Sequence, residues 1–140
     1  MKQITRGITP DDIYIYKIRE VIRVLDGDTI EVLIELGFNI IKQEIIRLLD
    51  FDAPETFRPL TEEEKIGGEK VKEYAKSLLL NKDNLYIITR KKGKYGRYLG
   101  LIYEKKSNNS LKSINEYIEI FIETNNLTKE ELRKSIKKEL

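Results

Sequence analysis

The sequence predicts an α+β chain dominated by β-structure: five strands closing a small barrel, a helix after the third strand and helices at the C-terminal end. Two observations carry that expectation. The apolar residues, 40% of the chain, lean on isoleucine, whose branched β-carbon suits a packed pleated surface. They also fall into short, partly alternating runs separated by Gly, Pro, Asn and Asp, the pattern of strands and turns. A third observation sets the scale. A chain of 140 residues fits one domain, long enough to bury roughly two thirds of its unfolded surface without staples.

Ile13 to Leu25, IYIYKIREVIRVL, is bounded by Pro10 and Asp26-Gly27 and reads as a long first strand. From Asp28 to Leu36 the alternation is clean, with Ile30, Val32 and Ile34 on one face and Thr29, Glu31 and Glu35 on the other. Gly37-Phe38-Asn39 marks a turn into a third strand, Ile40 to Leu49, which Pro54 ends because it has no amide hydrogen to extend a ladder. Thr61 and Glu64 have capping-box spacing before Val71, Tyr74, Ala75, Leu78 and Leu79 at helical intervals, with Gly67-Gly68 a possible delay to the helix start. Leu85 to Thr89 and Tyr98 to Tyr103 read as strands joined by a basic turn, Arg90 to Arg97. Ser107 to Ser110 is a polar loop, Ile114 to Ile122 a helix, and Thr128 with Glu131 caps a last helix over about residues 128–139. The core spans about residues 13–122. This order matches a five-stranded Greek-key barrel of OB type, although a ubiquitin-like fold or a general α+β roll shares it.

Composition removes much chemistry. With no His and no Cys there is no Ser-His-Asp triad, imidazole base, thiolate nucleophile, zinc knuckle or disulfide. Carboxylates, Lys, Tyr, Arg, a hydroxyl or a hard metal ion remain. A net charge of +2 implies no nucleic-acid partner by itself, so local clustering must carry any such argument. No apolar run reaches membrane-spanning length, and MKQITRGITP lacks a secretory apolar stretch. The expectation is no membrane partner, and either a cytoplasmic protein or a trimmed secreted form.

Asp26-Gly27-Asp28-Thr29 is a turn when taken alone. Asp28, however, shares parity with Ile30, Val32 and Ile34, which places a carboxylate at the mouth of any barrel they line, a costly position unless a cation compensates. Asp50, Asp52 and Glu55 crowd three carboxylates around Pro54, where mutual repulsion favours a hard cation with oxygen ligands. Each of them could instead be solvated or capping. Arg47 lies inside an apolar stretch, as an edge gatekeeper or as a planar fork for phosphate. Arg97 shares parity with Leu99 and Leu101, so it should face the core side and need an anion. Carboxylates, rim arginines and a Lys-rich turn bearing Tyr95 and Tyr98 are the ingredients of metal-assisted attack on a phosphodiester.

DGDT, then RLLDFDAPET, then KYGRYLGLIY, in that order over roughly Tyr16 to Ile118, resemble the staphylococcal nuclease (thermonuclease) family. The resemblance implies an OB-fold barrel with helices and calcium-dependent hydrolysis of DNA and RNA to 3′-phosphate ends, with single-stranded DNA and RNA as substrates of a monomer. Its calcium ligands would be the carboxylates of Asp28 and Asp52 and the backbone carbonyl of Ala53. Its phosphate-binding arginines would be Arg47 and Arg97, and its water-activating carboxylate Glu55. Lys94 and Tyr95 would contact nucleotide phosphate, and Asp26 would be the acidic residue behind the metal ligands. Arg47 and Asp52 are five residues apart, so convergence on one phosphate requires a bulge or bend between Leu48 and Phe51. Three departures accompany the match: Asp50 replaces an apolar or small residue, the hairpin before Arg47 is longer, and the segment after Tyr103 lacks a Gly-containing helix ending. The alternative is a nucleic-acid-binding OB module without catalysis. Degenerate copies lose the metal carboxylates or arginines first, whereas this chain keeps all five positions. A protein-interaction OB domain would leave the three motifs unexplained.

Overall fold

The computed structural model describes residues 14–92 and 96–134. In chain order the elements are β1 (Ile15–Asp26), β2 (Thr29–Glu35), β3 (Ile41–Leu48), α1 (Glu62–Leu79), β4 (Leu85–Lys92), β5 (Tyr98–Lys105), β6 (Leu111–Ser113), α2 (Ile114–Thr124) and α3 (Lys129–Leu132). Hydrogen-bonded neighbours run β3-β2-β1-β4-β5-β6, and a parallel pairing of β3 with β5, Ile46↔Tyr98 to Leu48↔Gly100, closes the first five into a barrel. This is the OB-type arrangement expected from the element order, with its helix after the third strand.

The strands close because β1 coils. Its buried residues, Ile18, Val21 and Val24, recur every third position, and its register with β2 shifts between Ile18 and Glu20, Val21 and Arg23, and Val24 and Asp26. Each irregularity adds a residue and local twist, which bends the strand around the barrel and replaces a period of two by one of three. In β2 the alternation holds, with Ile30, Val32 and Ile34 buried. At the β3–β5 seam, a side chain at Gly100 would bring Cβ within 2.9 Å of both Ile46 and Ile87, so only glycine lets these strands meet.

Helix α1 covers one barrel end with Val71, Ala75 and Leu79, all buried, while Tyr74 stacks on Phe121 of α2 at 4.1 Å between centroids. Thr61 caps it by accepting from the Glu64 amide at 3.0 Å. Gly67 and Gly68 do not delay the helix, which starts at Glu62 and runs through them. Their missing side chains allow close packing: Gly67 lies against Leu132, and Gly68 against the carbonyls of Pro54 and Glu55.

Two expectations are corrected. The buried face of β5 is Gly100 and Ile102, with Leu99 and Leu101 half-buried, because Gly100 occupies the tight seam. Strand β6, between the expected loop Ser107–Ser110 and the expected helix from Ile114, adds a sixth strand to the five expected. Three residues are too few to show alternation, and it is assembled by pairing with β5, Tyr103↔Ser113 to Lys105↔Leu111. Helix α3 begins at its Thr128 cap, which accepts from the Glu131 amide at 3.2 Å. The part of that helix expected beyond residue 134 lies outside the described residues.

Candidate functional site

Three strand ends meet at one rim of the barrel. Thr29 opens β2 opposite Arg47 near the end of β3, and Arg47 also pairs with Leu99 of β5. The Leu48 amide donates to the Asp28 carbonyl at 2.7 Å and the Leu49 amide to the Gly100 carbonyl at 3.0 Å. The chain then leaves the ladder and turns at Asp50, whose φ of 78° lies in the left-handed region, which Asp tolerates better than most residues. That bend turns Asp52 back onto the face of Arg47, as the five-residue spacing required.

Arg47 holds the centre. One guanidinium nitrogen, Nη2, lies 3.4 Å from Asp28 Oδ2 and also contacts Asp52 Oδ1, while Nη1 donates to the Leu48 carbonyl. Asp28 is 7% exposed. Its Oδ2 accepts from the Ala53 amide at 2.7 Å and its Oδ1 from the Thr29 hydroxyl at 3.0 Å. That same hydroxyl accepts from Arg97 Nη1 at 3.3 Å. Asp28, Asp52, Ala53, Arg47 and Arg97 therefore form one connected cluster.

The remaining expected residues take other positions. The Asp26 carboxylate binds the Thr56 amide at 3.1 Å and its hydroxyl, pinning the loop after Pro54. The Glu55 carboxylate pairs with Lys129 of α3 at 3.3 Å, and the Glu55 amide donates to Glu64 Oε2 at 3.0 Å. Asp50 lines a cleft together with Asp52, Glu119, Glu123 and Lys129, where burial, then Glu123 and Asp50, push the Glu119 carboxyl above its ordinary value. Asp50 and Asp52 share that cleft while Glu55 is engaged by Lys129, and among the described residues no three carboxylates are grouped so as to hold a metal ion. Lys94 and Tyr95 lie outside the described residues.

A family model described as staphylococcal nuclease homologue matches residues 45–135, most of the chain and all of the loop from Arg47 to Glu64. The chain belongs to the staphylococcal nuclease family. It is 33% identical over 85 residues to a micrococcal nuclease of Shigella flexneri, covering 60% of this chain and 41% of that protein. It is also 35% identical over 108 residues to an uncharacterized protein of Methanocaldococcus jannaschii, covering 64% and 50% respectively. The chain spans half or less of the length of these relatives.

Members of the family are typically calcium-dependent, and the donor chemistry here fits such an ion. Two carboxylates reach the same guanidinium nitrogen, and the Asp52 side chain is 72% exposed. A hard cation would find anionic oxygens there and room for water and phosphate oxygens to complete its coordination.

Sequence reasoning missed several residues that build this rim of the nuclease fold. Asn115 is 2% exposed. Its amide nitrogen donates to the carbonyls of Leu49 at 3.0 Å and Gly100 at 3.1 Å, and its oxygen accepts from the Ile102 amide at 2.9 Å, tying the end of β3 to β5. A polar residue between Ile114 and Ile118 on an apolar helix face was its only signal. Glu64 was read as a capping residue, yet its carboxylate serves the Glu55 loop. Lys129 is 74 residues from Glu55, a separation that no local pattern can span.

Proposed function

We propose that the chain is a calcium-dependent phosphodiesterase that hydrolyses DNA and RNA to 3′-phosphate ends, acting as a single-domain monomer on single strands. The observation that carries this reading is Arg47, joined to both Asp28 and Asp52, with Arg97 one hydroxyl away. Such an assembly places two planar cations beside two anionic oxygen donors at an open rim, which matches a phosphodiester bound together with a hard metal ion.

Asp28, Asp52 and the Ala53 carbonyl would hold calcium, which when bound supplies a Lewis acid for a phosphate oxygen and a template for water. Arg47 and Arg97 bind the phosphate through charge-assisted hydrogen bonds that strengthen as charge builds on the equatorial oxygens. Arg47 exchanges its carboxylate partners for phosphate as substrate enters. Glu55 orients the attacking water and takes its proton, after leaving the ammonium of Lys129. Lys94 and Tyr95 contact the neighbouring nucleotide phosphate.

The Lys129–Glu55 ion pair favours a second reading, a binding module without catalysis, because it occupies the carboxylate assigned to water. Incubation with single-stranded DNA separates the two. The nuclease reading predicts fragments with 3′-phosphate ends in calcium, none in chelator, and slow cleavage in magnesium, which demands stricter octahedral geometry. Retention of intact strands in calcium would leave only the binding module.

A further inference from the structure

Glu64 sits at the first turn of α1, is 0% exposed, and carries a load that helix capping does not require. Its Oε1 accepts from the Leu60 amide at 2.8 Å and its Oε2 from the Glu55 amide at 3.0 Å. Both oxygens also face Arg133, which closes a two-pronged pair, Nε to Oε1 and Nη2 to Oε2, each at 2.8 Å. In a capping box this carboxylate would return to the amide of Thr61. Here it reaches past the cap to both ends of the loop that carries Glu55. The partner that balances its buried charge comes from 69 residues away, just after α3.

Three further contacts dock α3 on the same spot. The Thr61 hydroxyl donates to the Leu132 carbonyl at 2.6 Å, Leu132 packs against Gly67, and Lys129 reaches the Glu55 carboxylate. An isolated buried carboxylate is costly, whereas a bidentate guanidinium pair with further amide donors satisfies it and fixes its geometry. The backbone of Glu55 is therefore referenced to α3 through Glu64, independently of the metal-side contacts of Asp28 and Arg47.

We infer that Glu64 and Arg133 are positioning residues for Glu55: the buried carboxylate, held by the guanidinium from beyond α3, sets where the Glu55 backbone stands at the rim. This rests on the nuclease reading for its effect on rate, but the mechanical link does not. Partners behind a catalytic group typically influence rates about 10- to 100-fold, since small displacements are costly at a reacting centre.

Two measurements on the full-length chain test it. In single-turnover cleavage of single-stranded DNA with calcium, Glu64→Gln and Arg133→Ala should each slow turnover about 10- to 100-fold with KM and calcium affinity within about twofold, and Arg133→Lys should recover part of the loss. In a Glu55→Gln background the Glu64→Gln substitution should add little, because both act through one group. An equal loss in both backgrounds would make Glu64 a merely structural residue and overturn the inference. Amide hydrogen exchange, which needs no cleavage, should show Glu55 and Leu60 losing protection in Arg133→Ala while Val32 keeps its own. Unchanged protection at Glu55 would overturn the link from α3. Failure of the wild-type chain to cleave would sink the nuclease reading while the exchange result still decides the link.

Discussion

Arg47 has two carboxylate neighbours on one nitrogen, Asp28 held tightly and Asp52 open to solvent, and that asymmetry divides the labour between them. Asp28 is fixed by the Ala53 amide and the Thr29 hydroxyl; in the proposed calcium site it would offer a preorganised oxygen, whereas the exposed Asp52 would adjust to the ion. Calcium titration in the presence of a non-cleavable nucleotide should therefore show Asp28→Ala losing at least about tenfold in calcium affinity, with Glu55→Gln nearly unchanged. Loss of calcium by Glu55→Gln as severe as in Asp28→Ala would make Glu55 a ligand and leave the water without a base. At this scale parity put Asp28 on the inner side of the barrel mouth and Thr29 on the other face, yet both are buried there, because the rim packs both sides of the chain where β2 begins. Parity misled for Arg97, which reaches the cluster from just before β5 although Leu99 and Leu101 are not the buried face. Glu55 and Lys129 were illegible as a pair, since ion pairs across long separations leave no periodic trace.

The loop between Ala53 and Leu60 is an element without regular structure, held by hydrogen bonds that its amides donate to Asp26, Asp28 and Glu64. Helix α1 presses on it from below at Gly68, where a Cβ would stand 2.9 Å from the Glu55 carbonyl and 3.0 Å from that of Pro54. Helix propensity alone would make Gly68→Ala stabilising by about 0.5–1 kcal/mol. Both obstructing atoms belong to the backbone, so the contact should win: thermal unfolding is expected at lower temperature than wild type, with slower turnover, and a raised Tm would refute the close approach. Glu64 adds a pH dependence. Burial alone would raise its carboxyl, but Arg133 and the amides of Leu60 and Glu55 hold it below its ordinary value. The unfolded chain then binds the proton more readily, so this stabilisation is complete above the ordinary value, about pH 4.3, and is lost as pH falls through the lowered one. Denaturant titrations should show wild type more stable than Glu64→Gln at pH 7, with the gap narrowing below about pH 4. A constant gap would contradict the assignment. The strands and α1 were legible from alternation and capping signals, whereas the run through Gly67-Gly68 was not, because packing overrode propensity.

For the whole molecule, barrel closure and site assembly are one event. The seam that needs Gly100 brings β3 against β5, and it carries Arg47 to Leu99, Arg97 to Thr29, and Asn115 to the carbonyls of both strands. Element order pointed to this barrel without proving it, since order alone does not specify which edges meet. The three motifs are separated in sequence because the rim is built from three strand ends, and only closure makes them neighbours. In the proposed function this rim cleaves nucleic acid with Glu55 acting on the attacking water. That function is tested most directly by single-turnover cleavage of single-stranded DNA at saturating calcium, comparing wild type with Glu55→Gln. Wild type should cleave, and the variant should be slower by about a hundredfold or more, the scale of a lost general base; equal rates in the two proteins, or no cleavage by wild type, would refute the role of Glu55 or the nuclease reading itself.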